Sequence, residues 1–203
     1  MRRLYVHIIE SLSAGNLLNK MTEGALLKEG LRIAGIEHSY WSADNEARFG
    51  EAIDIDVVET PHILQFDVPI IHISAHGNKD GIQLTDGTYF QWNKLKNIFK
   101  RKNLDLNNLL IVCMSSCEGF GAVRMAFNSE ALPFLALIGP TSEIDLRDRA
   151  MAFLTFYYRL NKDASPQVAL DAMKISSGND KFAMISGYNA QRIWQEAVNK
   201  FPR

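Results

Sequence analysis

The chain has 203 residues, 47% of them hydrophobic, with 22 basic and 23 acidic side chains and a formal net charge of −1. That length and apolar content predict one compact domain over residues 1–203, and charges so nearly balanced supply no field to recruit nucleic acid or acidic lipid. No apolar run approaches the ~20 residues of a membrane span, Met1-Arg2-Arg3 leads into a strand-like segment without a secretory core, and Cys113 with Cys117 makes no disulfide framework, so a cytoplasmic protein is expected.

Taken in chain order, Leu4 to Ile9 reads as a strand, and Lys20 to Ala34, rich in Leu, Ala and Glu, as a helix stopped by Gly35. A strand follows at His38 to Ser42. Glu46 to Phe66 begins as a helix and loses its pattern where Pro61 interrupts it; Pro69 to His76 is an apolar strand. Gly81 to Trp92 reads as a small hairpin turning at Asp86-Gly87, and Asn93 to Lys102 as a basic helix. A second apolar strand is expected over Asn108 to Ser116, then a helix from Gly119 to Asn128, a strand at Phe134 to Ile138, and a helix from Asp145 to Leu160. Ser165-Pro166 is a cap-plus-N1 start for a helix to Ile175, and a strand over Lys181 to Ser186 precedes a closing helix. This alternation predicts an α/β fold, a three-layer α/β/α sandwich with a mostly parallel central sheet.

Two segments carry chemistry. Ile-Ile-His-Ile-Ser-Ala-His-Gly ends at His76-Gly77, and Leu-Leu-Ile-Val-Cys-Met-Ser-Ser-Cys-Glu-Gly ends at Cys117-Glu118-Gly119, 41 positions on (117 minus 76). Both fit buried parallel strands that finish in a reactive side chain, and active groups in such sheets gather outside the strands' carboxyl ends. An imidazole beside a thiol can take its proton and later protonate a leaving amine, which is the machinery of a cysteine hydrolase. A helix starting near Gly119 would favour the thiolate at Cys117. Gly77 leaves room for a substrate backbone, and main-chain N–H groups there, including that of Gly77, could face a developing oxyanion, each worth roughly 3 kcal/mol.

These blocks resemble the catalytic blocks of the caspase-like cysteine peptidases, most closely the bacterial CHAT-type branch, with separase and legumain as more distant relatives. The likeness runs over residues 65 to 175 and takes in Ile138-Gly139-Pro140-Thr141-Ser142, an acidic loop and the helix with Phe156-Tyr157-Tyr158-Arg159. It implies a caspase-like fold with His76 as general base, Cys117 as nucleophile, and Gly77 and Cys117 N–H groups as oxyanion donors, without metal or organic cofactor. The position two before the nucleophile helps line the pocket for the P1 side chain in relatives; it is Ser115 here, whereas caspases carry glutamine and select aspartate. An acid near the active end, among them Glu118 or Asp145, could floor that pocket and select Arg or Lys, against the plainer reading of Asp145 as a helix N-cap. CHAT-type proteins often act within larger assemblies in bacterial immunity or programmed cell death, which implies a protein substrate and a regulatory protein partner that gates access.

Rival readings follow from the same residues. A zinc site of His72, His76, Cys113 and Cys117 fails on geometry, since strand residues four apart lie roughly 13 Å from each other. His72 and Cys113 are then structural residues on the same face as the dyad. Lys94, Lys96, Lys100, Arg101 and Lys102 read as a solvated face complementing a helix dipole, and Phe153, Phe156 and Tyr157 as core. Two alternatives to an endopeptidase are a non-catalytic module that keeps the fold, and a hydrolase or acyltransferase acting on a small amide.

Overall fold

The computed structural model describes residues 3–18, 22–54 and 66–200. Strands β1 (Leu4–Ser11), β2 (Glu37–Ser42), β3 (Val68–Asn78), β6 (Ile111–Ser115), β7 (Ala136–Pro140) and β8 (Phe182–Ser186) lie in the order β2-β1-β3-β6-β7-β8, and the hairpin β4 (Gly81–Gln83) and β5 (Tyr89–Gln91) joins the end of β3. The main path is parallel except for β8, which runs antiparallel to β7. Helix α1 (Ala14–Leu18) follows β1. One face of the sheet is covered by α2 (Glu23–Ala34), α5 (Leu146–Asn161) and α6 (Pro166–Ser177). The other face carries α3 (Glu46–Asp54), α4 (Trp92–Asp105), a 3-10 helix (Gly119–Ala126) and α7 (Gly187–Lys200). This is the expected mixed α/β fold, a mostly parallel sheet flanked by helices.

The strand patterns explain the layering. All eight residues of β1 are buried: Leu4, Val6 and Ile8 enter the core under α2 and α5, while Tyr5 and Ile9 enter the core under α3 and α4. A strand covered on both faces has to be apolar on both, and each large side chain so buried contributes about 1.5–3 kcal/mol. Phe153, Phe156 and Tyr157 lie in the first core, as their helical spacing predicts. Helix ends follow local chemistry as well: α2 closes on Gly35 in the left-handed region (φ 66°), and Ser165 caps α6 by accepting the Val168 N–H.

Several expectations need correction. The helix read over Lys20 to Ala34 begins at Glu23, with Lys20 and Met21 outside the described residues, and α1 was not foreseen. The obscure stretch after α3, with Pro61, lies outside the described residues. The strand expected from Asn108 starts at Ile111, because Asn107 and Asn108 both adopt positive φ in the turn that leaves α4. The helix expected over Gly119 to Asn128 is a tighter 3-10 helix ending at Ala126; a Cβ on Gly119 would lie 2.4 Å from the Met114 carbonyl oxygen, so the segment hugs the end of β6. The strand expected at Phe134 to Ile138 is displaced to Ala136–Pro140, where Gly139 and Pro140 pair with Ala183 and Phe182. The basic face of α4 is not all solvated: Lys102 is buried, Lys96 donates to the Phe127 and Asn128 carbonyls, and Arg101 pairs with Asp54. Among the described residues no helix is long and apolar enough to cross a membrane.

Candidate active site

The β3–β6 ladder aligns Ile70 with Ile111, His72 with Cys113 and Ser74 with Ser115. His76 and Cys117 stand one step further along the same offset, each two residues beyond the last pair, and His76 continues β3 on the face covered by α2 and α5. Above Ser74, β3 turns from β6 to pair with β4, matching His76 with Gln83, Gly77 with Ile82 and Asn78 with Gly81. β6 ends at Ser115, and Cys117 occupies the turn before the 3-10 helix. His76 is exposed and Cys117 half-buried.

The two loops are clasped together. A Cβ on Gly77 would lie 2.9 Å from Ser116 Cβ and 2.9 Å from the Gly81 carbonyl oxygen, so only glycine lets the histidine loop rest on the cysteine loop. A Cβ on Gly121 would similarly lie 2.7 Å from the Lys79 carbonyl oxygen. The Lys79 N–H donates to the Glu118 carboxylate at 3.2 Å, Trp92 Nε1 donates to the Lys79 carbonyl at 2.8 Å, and Arg124 pairs with Asp80. Glu118 itself takes the left-handed conformation (φ 52°), a strained geometry for a residue with a side chain, and this bends the chain sharply just after the thiol. The Glu118 and Gly119 N–H groups donate to the Ser142 and Ser116 carbonyls at 3.2 and 3.0 Å. Among the described residues the Cys117 N–H has no such acceptor, and neither the His76 imidazole nor the Cys117 thiol makes a hydrogen bond.

A buried polar cluster lies below these loops, between the strands and the α2–α5 layer. Glu23, fully buried in the first turn of α2, accepts from Ser74 Oγ at 2.8 Å and from Ser115 Oγ at 2.7 and 2.9 Å. His72 Nε2 sits 3.4 Å from Glu23 Oε1, in ion-pair range though off hydrogen-bond alignment, and His72 Nδ1 meets the Tyr157 hydroxyl at 2.7 Å. Burial opposes ionisation of Glu23, but the adjoining His72 ring, the Arg149 guanidinium and the Ser115 hydroxyl outweigh it and hold the carboxyl below its usual range. Glu10 goes the other way: burial raises its pKa despite the Gly24 N–H and the Tyr40 hydroxyl that donate to it. Burial also pushes the Cys113 thiol up to about 12, against the lowering effect of Tyr157, so Cys113 is an inert thiol. Arg149 is buried with Nε and Nη1 unpartnered; it lines a cavity of about 10 Å³ together with Ser13, Asn16, Ser74 and His76. That is room for a single water.

The other residues singled out from sequence fall in different places. Ser115 faces Glu23 and is sealed from solvent, so in this structure it lines no open pocket. Glu118 lies at the junction of the loops, its carboxylate engaged by the Lys79 N–H. Asp145 caps α5, accepting the Arg147 N–H at 2.8 Å, and its loop reaches the cysteine turn through the Ser142 carbonyl. Among the described residues no group of three or more His, Cys, Asp or Glu side chains is placed to hold a metal ion, and His72 and Cys113 face each other within the ladder.

No protein-family model and no curated protein matches the sequence. Solved structures do. The Drosophila initiator caspase Dronc superposes with a TM-score of 0.63 at 11% identity, covering 90% of this chain and 78% of that one. drICE superposes with a TM-score of 0.56 at 13% identity, covering 92% and 88%. The chain has a caspase-like fold.

Within this caspase-like frame, sequence reasoning passes over Glu23 and Arg149 and reads Tyr157 only as core. Glu23 falls inside the helix read over Lys20 to Ala34 with no local pattern to single it out, and its partners lie 51 and 92 residues away. One signal was present: serine occupies the position two before both His76 and Cys117. A hydroxyl at the same height on two buried strands calls for a shared acceptor.

Proposed function

We propose that this chain is a cysteine endopeptidase that cleaves a protein substrate with a Cys117/His76 dyad. The observation that carries the reading is that the two residues follow neighbouring parallel strands at the same offset, at the carboxyl end of a caspase-like sheet, with their loops clasped at Gly77 and Ser116. In the reaction His76 takes the Cys117 proton and the sulfur attacks the scissile carbonyl carbon. The oxygen that gains charge is met by the Cys117 N–H, which the turn leaves without an acceptor, and by the N–H of Gly77. The imidazolium then protonates the leaving amine, and the thioester is hydrolysed by a water that gives its proton to His76. The chemistry asks for no cofactor.

Imidazole and thiol make no hydrogen bond here; His76 already assists Cys117 in the resting chain, and substrate, or a regulatory protein partner that gates access, tightens the pair further. We read such gating as belonging to bacterial defence or programmed cell death, a reading supported by the sequence resemblance to the CHAT branch. Incubation with a proteome-derived peptide library tests the reading: new peptide termini should form with the native chain and vanish with Cys117→Ala and His76→Ala. A native chain that cuts nothing, with or without a candidate partner, while Cys117→Ala keeps every partner interaction, would instead identify a non-catalytic module.

A further inference from the structure

We infer that Glu23 is a positioning residue for this dyad: its buried carboxylate clamps the two strands at one register and thereby sets the height of Cys117 against His76. The inference rests on the cysteine-peptidase reading above. Ser74 and Ser115 face each other in the β3–β6 ladder, each two residues before its strand's reactive side chain. A single carboxylate receives both hydroxyls, at 2.8 Å from Ser74 and at 2.7 and 2.9 Å from Ser115. Such charge-assisted bonds are shorter and stronger than neutral ones, and the N-terminal turn of α2 favours the anion that makes them.

The position of the clamp is what gives it consequence. Ser74–Ser115 is the last pair of the ladder, because β3 then leaves β6 for β4. Above that rung no strand pairing fixes the two reactive residues against each other. One rung lower, Tyr157 from α5 bonds His72 Nδ1 at 2.7 Å, opposite Cys113. On the opposite face the neighbouring rung, Ile73 with Met114, is purely apolar. An apolar rung would serve cohesion as well as a buried ion does, so a carboxylate shared between the two strands supplies direction instead.

The test is a double-mutant cycle read as the rate of Cys117 alkylation at pH 7, each background measured with and without His76→Ala. The ratio within each pair reports how much His76 assists the thiol. Glu23→Gln keeps the shape but presents an amide N–H₂ to one of the two hydroxyls. Its ratio should fall about tenfold or more, given that a misplacement of about 1 Å costs up to ~100-fold. Ser74→Ala and Ser115→Ala should each lower the ratio by part of that amount. Leu27→Ala, a cavity in α2 that leaves the clamp intact, should lower the melting temperature and keep the native ratio. If Glu23→Gln does not fold, the two serine variants decide. A native ratio retained in Glu23→Gln and in both serine variants, whatever their melting temperatures, overturns the clamp alone. No His76 assistance in the native chain overturns the dyad reading and the clamp with it.

Discussion

The two faces of β3 and β6 are built from different materials. Toward α3 and α4 the strands present Ile71, Ile73, Val112 and Met114, packed against Leu95, Phe99 and Phe90. Toward α2 and α5 they present Ile70 at the base, then His72 with Cys113, then Ser74 with Ser115; beyond that last pair come the exposed His76 and, in the turn after β6, the half-buried Cys117. The first face is interchangeable cohesion, since apolar packing is nondirectional and tolerates substitution at the cost of stability. The second is graded from apolar to polar, and each polar step is tied by a helix. Cohesion and alignment are thus carried by opposite faces of the same two strands.

That division can be broken from either side. Met114→Ala, on the apolar face, should cost about 2–5 kcal/mol of stability through the cavity it leaves, seen in the denaturant midpoint, while alkylation of Cys117 per folded molecule stays native. Gly77→Ala should do the reverse. Its Cβ has to push Ser116 or the Gly81 carbonyl away, so the loops separate; about 1–3 kcal/mol of stability is lost, and His76-dependent alkylation falls by an order of magnitude.

Acid titration sharpens the comparison on the polar face. Glu23 has a lowered folded-state pKa, so its stabilisation is present above the unfolded carboxylate range of about 4.3 and is lost as pH falls through the lower folded value. The stability gap between the native chain and Glu23→Gln, followed by urea midpoints from pH 7 down to pH 3, should therefore narrow in acid. Glu10, raised by burial, has the opposite sign: its contribution is present below that range and is lost as pH rises through the raised value, so Glu10→Gln should gain on the native chain toward neutrality. The smallest expected effect is at Asp145, where Asp145→Ala removes an N-cap, costs about 1 kcal/mol in thermal unfolding and leaves alkylation unchanged. A change in P1 preference in that variant would make Asp145 part of a substrate pocket as well.

What the sequence disclosed and what it hid separate along physical lines. Strand-helix alternation, the left-handed stop at Gly35, the Ser165-Pro166 start and the cap at Asp145 are local chemistry, and the structure has each of them. The common offset of the His76 and Cys117 blocks is also in the sequence, because ladder register follows from strand ends. The 3-10 form of Gly119–Ala126 was not legible, since it comes from close packing of Gly119 on Met114. Nor was the direction of Ser115: a serine before a nucleophile reads equally well as a pocket wall or a buried donor, and the acceptor that decides it comes from α2, 92 residues away. Lys102 read as one charge of a solvated cluster, yet it lies on the inner face of α4.

The central claim is that His76 and Cys117 work as one unit, and the pH profile of Cys117 alkylation in the native chain and in His76→Ala tests it most directly, with no knowledge of the substrate. The account predicts that the native thiol stays reactive well below the pH of about 8.5 at which a free thiol ionises, and that His76→Ala confines alkylation to that alkaline range. Cys113, buried and with its thiol pKa pushed up to about 12, should not contribute to the signal. Coincident profiles in the two proteins, both following an ordinary thiol, would contradict the account.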